Sequence, residues 1–483
     1  MKRIILLYLI IIASLGMGIF GILRMGDRLP PPVAAPGVAT LEPAALHAQN
    51  PGGNSFLTSV MYGLHLGVAD PLTRLFLQLL LIVVAARVAG VVFTRFGQPA
   101  VVGEMVAGIL LGPSLFGLVA HGAFEFVFPA ASLGSLQLFS QIGVCLFMFA
   151  VGMELDLGQV RDKAYSIVFV SHASIIISYF FGVVLALFLY SNFAQPGASF
   201  TAFALFMGIS MSITAFPVLV RILQDRGIFK TPLGTASTAC AAVGDVTAWS
   251  VLAFVVAIVR ATSMGASAFT VVLVLVFIAG MFLLVKPGLT RWLGKDSEPG
   301  RGELAVVVGV VLVSALLTEI IGIHALFGAF LAGVVMPTGG DFRHKLAVRV
   351  ESFSSVLLLP LFFAFTGLRT RIDLLNDPAG WLVCIVVITV ATVGKLGGSA
   401  ITARLTGMQW REALQFGALM NTRGLMELIA LNIGYDLGIL SPRIFAMLVL
   451  MALVTTLMTG PLFALFGKMQ PAADASPGAA ERL

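Results

Sequence analysis

The chain has 483 residues, of which 59% are hydrophobic and only 11% charged, with a formal net charge of +6. A soluble domain carries about 25% charged residues, so this composition excludes one and describes a protein that crosses a lipid bilayer many times. The basic excess lies in loops between apolar runs rather than in a phosphate-tracking patch, which excludes nucleic acid as a partner.

Apolar runs of about 20 residues, enough for a hydrocarbon core of about 30 Å, predict helices at 4-23, 74-94, 99-118, 134-155, 165-190, 200-223, 232-260, 268-286, 303-321, 323-337, 351-368, 380-404, 411-434 and 441-467. The first follows Met1-Lys2-Arg3 and so resembles a signal peptide. Its apolar run exceeds the roughly 7 to 15 residues of such a core, however, and ends on Arg24, Met25, Gly26 and Asp27 instead of a small-x-small site. The alanine-rich stretch at 44-48 lies too far beyond it to serve. A retained extra helix is expected, with 1-73 forming that helix and an external linker, 74-467 the transmembrane domain and 468-483 a short cytoplasmic tail. Lys2, Arg3, Arg95, Arg161, Lys163, Arg221, Arg226 and Lys230 open a basic series on one side of the bilayer that continues to Arg482. The other side holds only Arg24, Arg28, Arg74, Arg260, Arg369, Arg371 and Arg443. This positive-inside bias puts both termini in the cytoplasm. Cys145, Cys240 and Cys384 all fall in apolar runs without metal-ligand spacing and read as small core residues.

Two spans are interrupted. In 200-223 the run GISMSITAFPVLV holds Ser210, Ser212, Thr214 and Pro217. Proline removes a backbone donor and clashes with the preceding turn, so the helix is expected to break near Thr214 and free its carbonyls. In 411-434 the matching interruption is Asn421-Thr422-Arg423-Gly424. Each interrupted span has one span before it and one after, so 165-260 and 380-467 read as two inverted three-helix units. Secondary transporters use that arrangement to bring half-helix ends to an ion near the midplane. The span after the first break contains one acid, Asp245, in an otherwise apolar run. An ionised carboxylate at membrane depth costs at least roughly 2.5 to 3.5 kcal/mol and so marks a cavity or a pair. Asp245 is expected to hold a proton and a cation in turn, the plain alternative being a carboxylate paired inside a bundle.

The runs GQPAVVGEMVAGILLGPSLFG (97-117), LFMFAVGMELDL (146-157), SITAFPVLVRIL (212-223), AAVGDVTAW (241-249), IGIHALFGAFLAGVVMP (321-337) and MNTRGLMELIALNIG (420-434) resemble the cation:proton antiporter-2 family of sodium/proton and potassium/proton exchangers. Within it, 321-337 and 420-434 are most similar to plant-type cation/proton exchangers and their bacterial relatives. The resemblance implies an all-α polytopic membrane protein with the 13-helix sodium/proton-antiporter fold, inverted repeats and two crossing broken helices, here with an extra amino-terminal helix. It also implies a homodimer in a bacterial inner membrane, with a panel-like interface domain and a mobile core working as an elevator, and no cofactor. The family's acid that binds cation or proton alternately falls on Asp245. Electrogenic relatives have two adjacent acids and others Asn-Asp, whereas this chain has Gly244-Asp245. One titrating carboxylate makes one-for-one, electroneutral exchange of K+ or Na+ for a proton the expectation. Gly244 removes a side-chain ligand and opens the alternative of a small organic cation, and a non-transporting membrane sensor is a further alternative.

Lys395, in TVGKLGG, falls on a family lysine near the ion-binding acid, where it pairs with Asp245 or compensates half-helix ends; snorkelling is its plain alternative. Thr214 and Ser212 are expected to offer oxygens to the cation, or else to bond back to their own helix. Arg423 and Asn421 are expected to compensate charge near the site, and Arg423 and Glu427, four apart, also fit an intrahelical pair. Glu154 and Glu319 fit proton-path or structural roles equally, while Glu104 and His324 fit structural roles better. Pro217 and Gly424 mark the helix breaks, and Gly328 and Gly333 suit close helix packing. No Walker lysine motif, metal-ligand cluster or catalytic signature occurs, so neither an enzyme nor an ATP-driven pump is expected.

Overall fold

A computed structural model describes residues 2–30, 70–154, 164–260, 264–293, 300–337 and 342–468. Most of the expected linker, including 44–48, and the tail beyond Lys468 lie outside the described residues. Among the described residues every named element is helical, and twelve helical segments are long and apolar enough to cross a membrane. In chain order the helices are α1 (Lys2–Gly26), α2 (Pro71–Arg95), α3 (Ala100–Leu111), α4 (Leu133–Glu154), α5 (Ala164–Phe193), α6 (Phe200–Ser212), α7 (Phe216–Asp225), α8 (Pro232–Arg260), α9 (Met264–Gly280), α10 (Arg301–Ile321), α11 (Ala325–Val334), α12 (Phe342–Phe353), α13 (Leu359–Arg369), α14 (Pro378–Thr392), α15 (Gly398–Leu405), α16 (Trp410–Met420), α17 (Leu425–Asp436) and α18 (Pro442–Lys468). Two of these helices open on side-chain caps. The Asp70 carboxylate accepts from the Leu72 and Thr73 N–H groups ahead of α2, and the Ser199 hydroxyl accepts from Ala202 N–H ahead of α6.

Three expected spans shift. Helix α3 ends at Leu111 because Gly112 precedes Pro113 and is held extended, at φ −78° and ψ −176°. The span expected at 323-337 is α11, whose ten residues reach only about 15 Å. It is entered through Gly322 and His324, both at positive φ (95° and 92°). The span expected at 351-368 starts earlier, at Phe342, and passes a π-helical turn at Ser354–Leu358 before α13.

Two bundles pack side by side. In the first, α2 lies on α3, α3 on α13, α4 on α11 and α13, and α10 on α11. These crossings are close because glycine meets backbone: a Cβ at Gly108 would strike the Phe363 carbonyl, and one at Gly367 the Gly108 carbonyl. In the second bundle, α5 carries α6, α8 and α15, while α14 and α16 pack on α18. Helix α9 touches α8 on one side and α10 on the other, and so joins the bundles. Helix α1 lies along α5, where the Tyr8 hydroxyl meets His172 Nδ1 at 3.0 Å; at its far end Asp27 accepts from the Thr201 hydroxyl at 3.1 Å.

The inverted units are visible in the helix ends. The Ser441 hydroxyl, ahead of α18, donates to the carbonyl of Phe193, the last residue of α5 (2.6 Å), and Arg443 pairs with Asp377 ahead of α14. So α14 begins at the face of the molecule where α5 ends. We call the face where α1 begins the first face and the opposite one the second.

Candidate functional site

The two interrupted helices cross at their breaks. Helix α6 stops at Ser212 and α7 resumes at Phe216, with Pro217 in its first turn, where a missing N–H costs nothing. Across the gap the Ala215 N–H donates to the Thr422 carbonyl and the Thr214 hydroxyl to the Met420 carbonyl, both at 2.9 Å. The second break, Asn421 to Gly424, is closed by Gly424 at φ 151°. Thr456 of α18 holds its backbone from both sides, donating to the Arg423 carbonyl (2.8 Å) and accepting from the Arg423 N–H (3.2 Å). The irregular backbone at membrane depth is thus buried and tied to protein groups at Ala215, Thr422 and Arg423, as its tolerance there requires.

Broken helices leave carbonyls at the C-terminal end of α6, the negative end of its dipole. Two buried cations cover them. Lys395 sits on a π-helical turn, Val393–Gly397, between α14 and α15, and its ammonium donates to the Ser212 carbonyl at 2.6 Å. The Arg423 guanidinium donates to the carbonyls of Ser210 (2.7 Å) and Met211 (2.8 Å) and pairs with Glu427 at 3.3 Å. The Arg423–Glu427 contact is the four-residue pair that the spacing allows. The carbonyls of Ser210, Met211 and Ser212 thus accept from these two side chains.

Asp245 stands 1% exposed on α8, and neither carboxylate oxygen has a hydrogen-bond partner. Lys395 acts on it electrostatically, and the Phe216 N–H at the start of α7 lies close without completing a bond. Asn421, fully buried at the other break, also leaves both amide atoms unpartnered. Asp245, Glu427, Lys395 and Arg423 make two acids and two bases, which sum to zero when all are ionised. At Gly244 a Cβ would stand 3.3 Å from the Ser171 hydroxyl, so Ser171 fills the place of a side chain at 244. The Ser212 hydroxyl bonds back to Ile209 in its own helix at 3.0 Å.

The remaining acids lie apart from this cluster. Glu319 accepts from Ala325 N–H (2.9 Å), capping α11 at the second face, and pairs with Arg260 at 3.8 Å. Glu154 ends α4 at the first face, where Arg343 donates to the carbonyls of Met153 and Gly152. Glu104 is buried on α3, 4.0 Å from Arg87. His324 is the cap of α11, with Nδ1 accepting from Leu326 N–H at 3.5 Å. Sequence reasoning missed Thr456, although three hydroxyls, Thr455, Thr456 and Thr459, in one apolar helix were a signal. It also missed the π-helical turn under Lys395, for which the sequence carries no mark.

A cavity of about 440 Å³ opens between the bundles at the first face. Thr94, Gln98 and Pro99 line one side, Arg221 and Asp225 of α7 with the following Arg226 the other, and it reaches Thr456 beneath the second break. At the second face the gap between α4, α13 and α17 holds only about 30 Å³.

Residues 80–468 match the family described as sodium/hydrogen exchanger, transmembrane. The Na(+)/H(+) antiporter NhaS4 of Synechocystis is 43% identical over 389 residues, 80% of this chain and 95% of that protein. The K(+)/H(+) antiporter 1 of Saccharomyces cerevisiae is 32% identical over 411 residues, 82% of this chain. This chain spans about half the length of that yeast relative (47%). Among solved structures, the sodium proton antiporter MjNhaP1 of Methanocaldococcus jannaschii superposes with a TM-score of 0.59 over 82% of this chain and 98% of its own. At 16% identity that likeness speaks for the fold alone.

Proposed function

The chain belongs to the sodium/hydrogen exchanger transmembrane family, and we propose that it exchanges a monovalent cation, K+ or Na+, for a proton, one for one. The observation that carries the reading is Asp245: a fully buried carboxylate without a hydrogen-bond partner, beside the crossing of two broken helices. A bare charge so placed is costly, and a proton or a small cation relieves it. The cluster's charge adds the coupling. With four ionised groups it is neutral, either ligand brings it to +1, and both together would bring it to +2 in a medium of low dielectric. Proton and cation therefore exclude one another, and the loaded site carries the same charge in each half-cycle, which makes the exchange electroneutral. Thr214 retains a lone pair toward a cation, and Asn421 offers an unused carbonyl oxygen.

The first face is the cytoplasmic one, by the excess of Lys and Arg in its loops, and the cavity there is the path to the site. The second bundle moves as a body against the first, in an elevator motion, within a homodimer in a bacterial plasma membrane. The relatives' names split between Na+ and K+, so both ions remain candidates. A bulkier organic cation fits less well, because Ser171 occupies the space beside Gly244. The test is proton flux in proteoliposomes with an imposed pH gradient, adding K+, Na+, Li+ or Rb+ in turn with the membrane potential clamped. Wild-type flux should answer to K+ or Na+ and ignore the potential, while Asp245→Asn should fold and carry none. Cation-driven proton flux retained in folded Asp245→Asn would end the proposal.

A further inference from the structure

The bundles are tied together unequally at the two faces. At the second face Arg369, the last residue of α13 in the first bundle, reaches Asp436, the last residue of α17 in the second, at 2.7 Å. The same guanidinium donates to the Asn432 amide oxygen at 3.2 Å, and the Asn432 amide nitrogen donates back across the gap to the Thr366 hydroxyl of α13 at 2.9 Å. Arg369 also lies over the Phe365 ring of its own helix (4.1 Å) and the Tyr435 ring of α17 (5.3 Å). A planar guanidinium that pairs, bonds and stacks at once is held in one geometry. At the first face, among the described residues, a contact between the bundles is longer, Gln98 to the Leu457 carbonyl of α18 at 3.5 Å, beside the open cavity.

From this asymmetry we propose that Arg369, with Asp436 and Asn432, is a latch that holds the second face shut, and that its release is an obligatory step each time the site changes faces. The latch is placed to do so. Asp436 and Asn432 lie on α17, the half-helix whose opening turn carries Glu427 of the buried cluster. A displacement of the second bundle relative to the first carries α17 past α13, and the contacts of Arg369 break together. Arg369 is thus a positioning residue: it meets no transported ion but sets the balance between the two access states, since a group bonded in one state and free in the other shifts the equilibrium by its differential energy. The inference rests on the exchange reading only in taking the two states to be those of a transport cycle.

The experiment reads access rather than flux. Gln141, lining the tight gap at the second face, and Thr94, lining the cavity at the first, are separately changed to Cys. Each is labelled in purified protein with a bulky hydrophilic maleimide, and the native thiols, Cys240 and Cys384 buried and Cys145 half-buried, supply the blank. In the Arg369→Ala and Asp436→Ala backgrounds the Gln141→Cys thiol should label at least about fivefold faster, the low end of a typical coupling between two states, and the Thr94→Cys thiol more slowly. Arg369→Lys, which keeps the charge but not the fork, should fall between and guards against misfolding in the alanine variants. Unchanged rates in monodisperse variants would overturn the latch, and so would faster labelling at both faces, which reports general loosening. Labelling needs no ion gradient, so a wild-type protein without cation-driven proton flux would refute the exchange reading while leaving this result to decide the latch.

Discussion

Replacing Arg423 by Met tests whether the crossing is held by charge. Both Arg423 and Glu427 have 0% side-chain exposure, so the substitution strands a carboxylate with no solvent to turn to. Breaking a buried pair from one side costs about 3 to 5 kcal/mol. The Ser210 and Met211 carbonyls, 2.7 and 2.8 Å from the guanidinium, lose their donor as well, at about 1 to 3 kcal/mol for an unsatisfied buried group. These costs share one side chain and do not add in full, so the loss is about 5 kcal/mol, a large part of the roughly 5 to 15 kcal/mol that holds a typical protein folded. Adding Glu427→Leu removes the stranded charge and leaves only the carbonyl cost, about 2 kcal/mol. Unfolding by SDS titration in mixed micelles, followed by tryptophan fluorescence for wild type, both single variants and the double, closes the cycle. The double variant should be about 3 kcal/mol more stable than Arg423→Met. If the double variant is no more stable than Arg423→Met, the pair is not what secures the crossing.

Three further outcomes follow from the same geometry. Lys395→Met removes a positive charge from the field of Asp245, so the cation concentration for half-maximal proton flux should fall on the order of tenfold; an unchanged value would mean that Lys395 serves only the Ser212 carbonyl. Gly424→Ala places a Cβ at φ 151°, 3.0 Å from Val218 Cγ2, and should cost about 1 to 3 kcal/mol. Gly397→Ala, at helical φ and with open space around it, should be neutral or stabilising by up to about 1 kcal/mol, and equal melting of the two variants would refute the strain at 424. Thr456→Val loses both bonds to the Arg423 backbone and should destabilise by about 1 to 3 kcal/mol in thermal unfolding, whereas Thr456→Ser, which keeps the hydroxyl, should melt near wild type.

What the sequence revealed and what it hid divide along physical lines. The spans were legible because a bilayer demands length and apolarity and both are local properties. The breaks were legible because Pro217 and the polar run Asn421 to Gly424 violate helix chemistry within a few residues. Asp245 stood out for the same reason, as an expensive group in an apolar helix. Less legible was which atoms meet across the crossing. The Ser212 carbonyl meets Lys395, 183 residues away in sequence, and a pairing of that range leaves no local trace. The span at 323-337 was read as a full crossing from its hydropathy, but α11 is a ten-residue helix buried against α4 and α10, and burial in protein yields the same apolar composition as burial in lipid. Glu319 fitted a path or a structural role equally by sequence, and only the short α11 reveals its carboxylate accepting from the first N–H of that helix.

The way α6 ends bears on how such a protein can move. Its terminal carbonyls are covered by Lys395 and Arg423, groups that belong to the protein and stay when a transported ion leaves. Thr214 and Ala215 tie the first break to the second, and Thr456 ties the second to α18. On the proposed exchange, an ion arriving at Asp245 changes a charge without having to complete a backbone. The elevator motion we propose would then run where bonds are fewer and reversible, between the bundles rather than within the second one. That boundary is where the cavity opens at the first face and where Arg369 closes the second. A rigid crossing carried past a latched partner yields alternating access from one moving boundary, whereas a site assembled by the ion itself would have to fold and unfold its own ligands in every cycle.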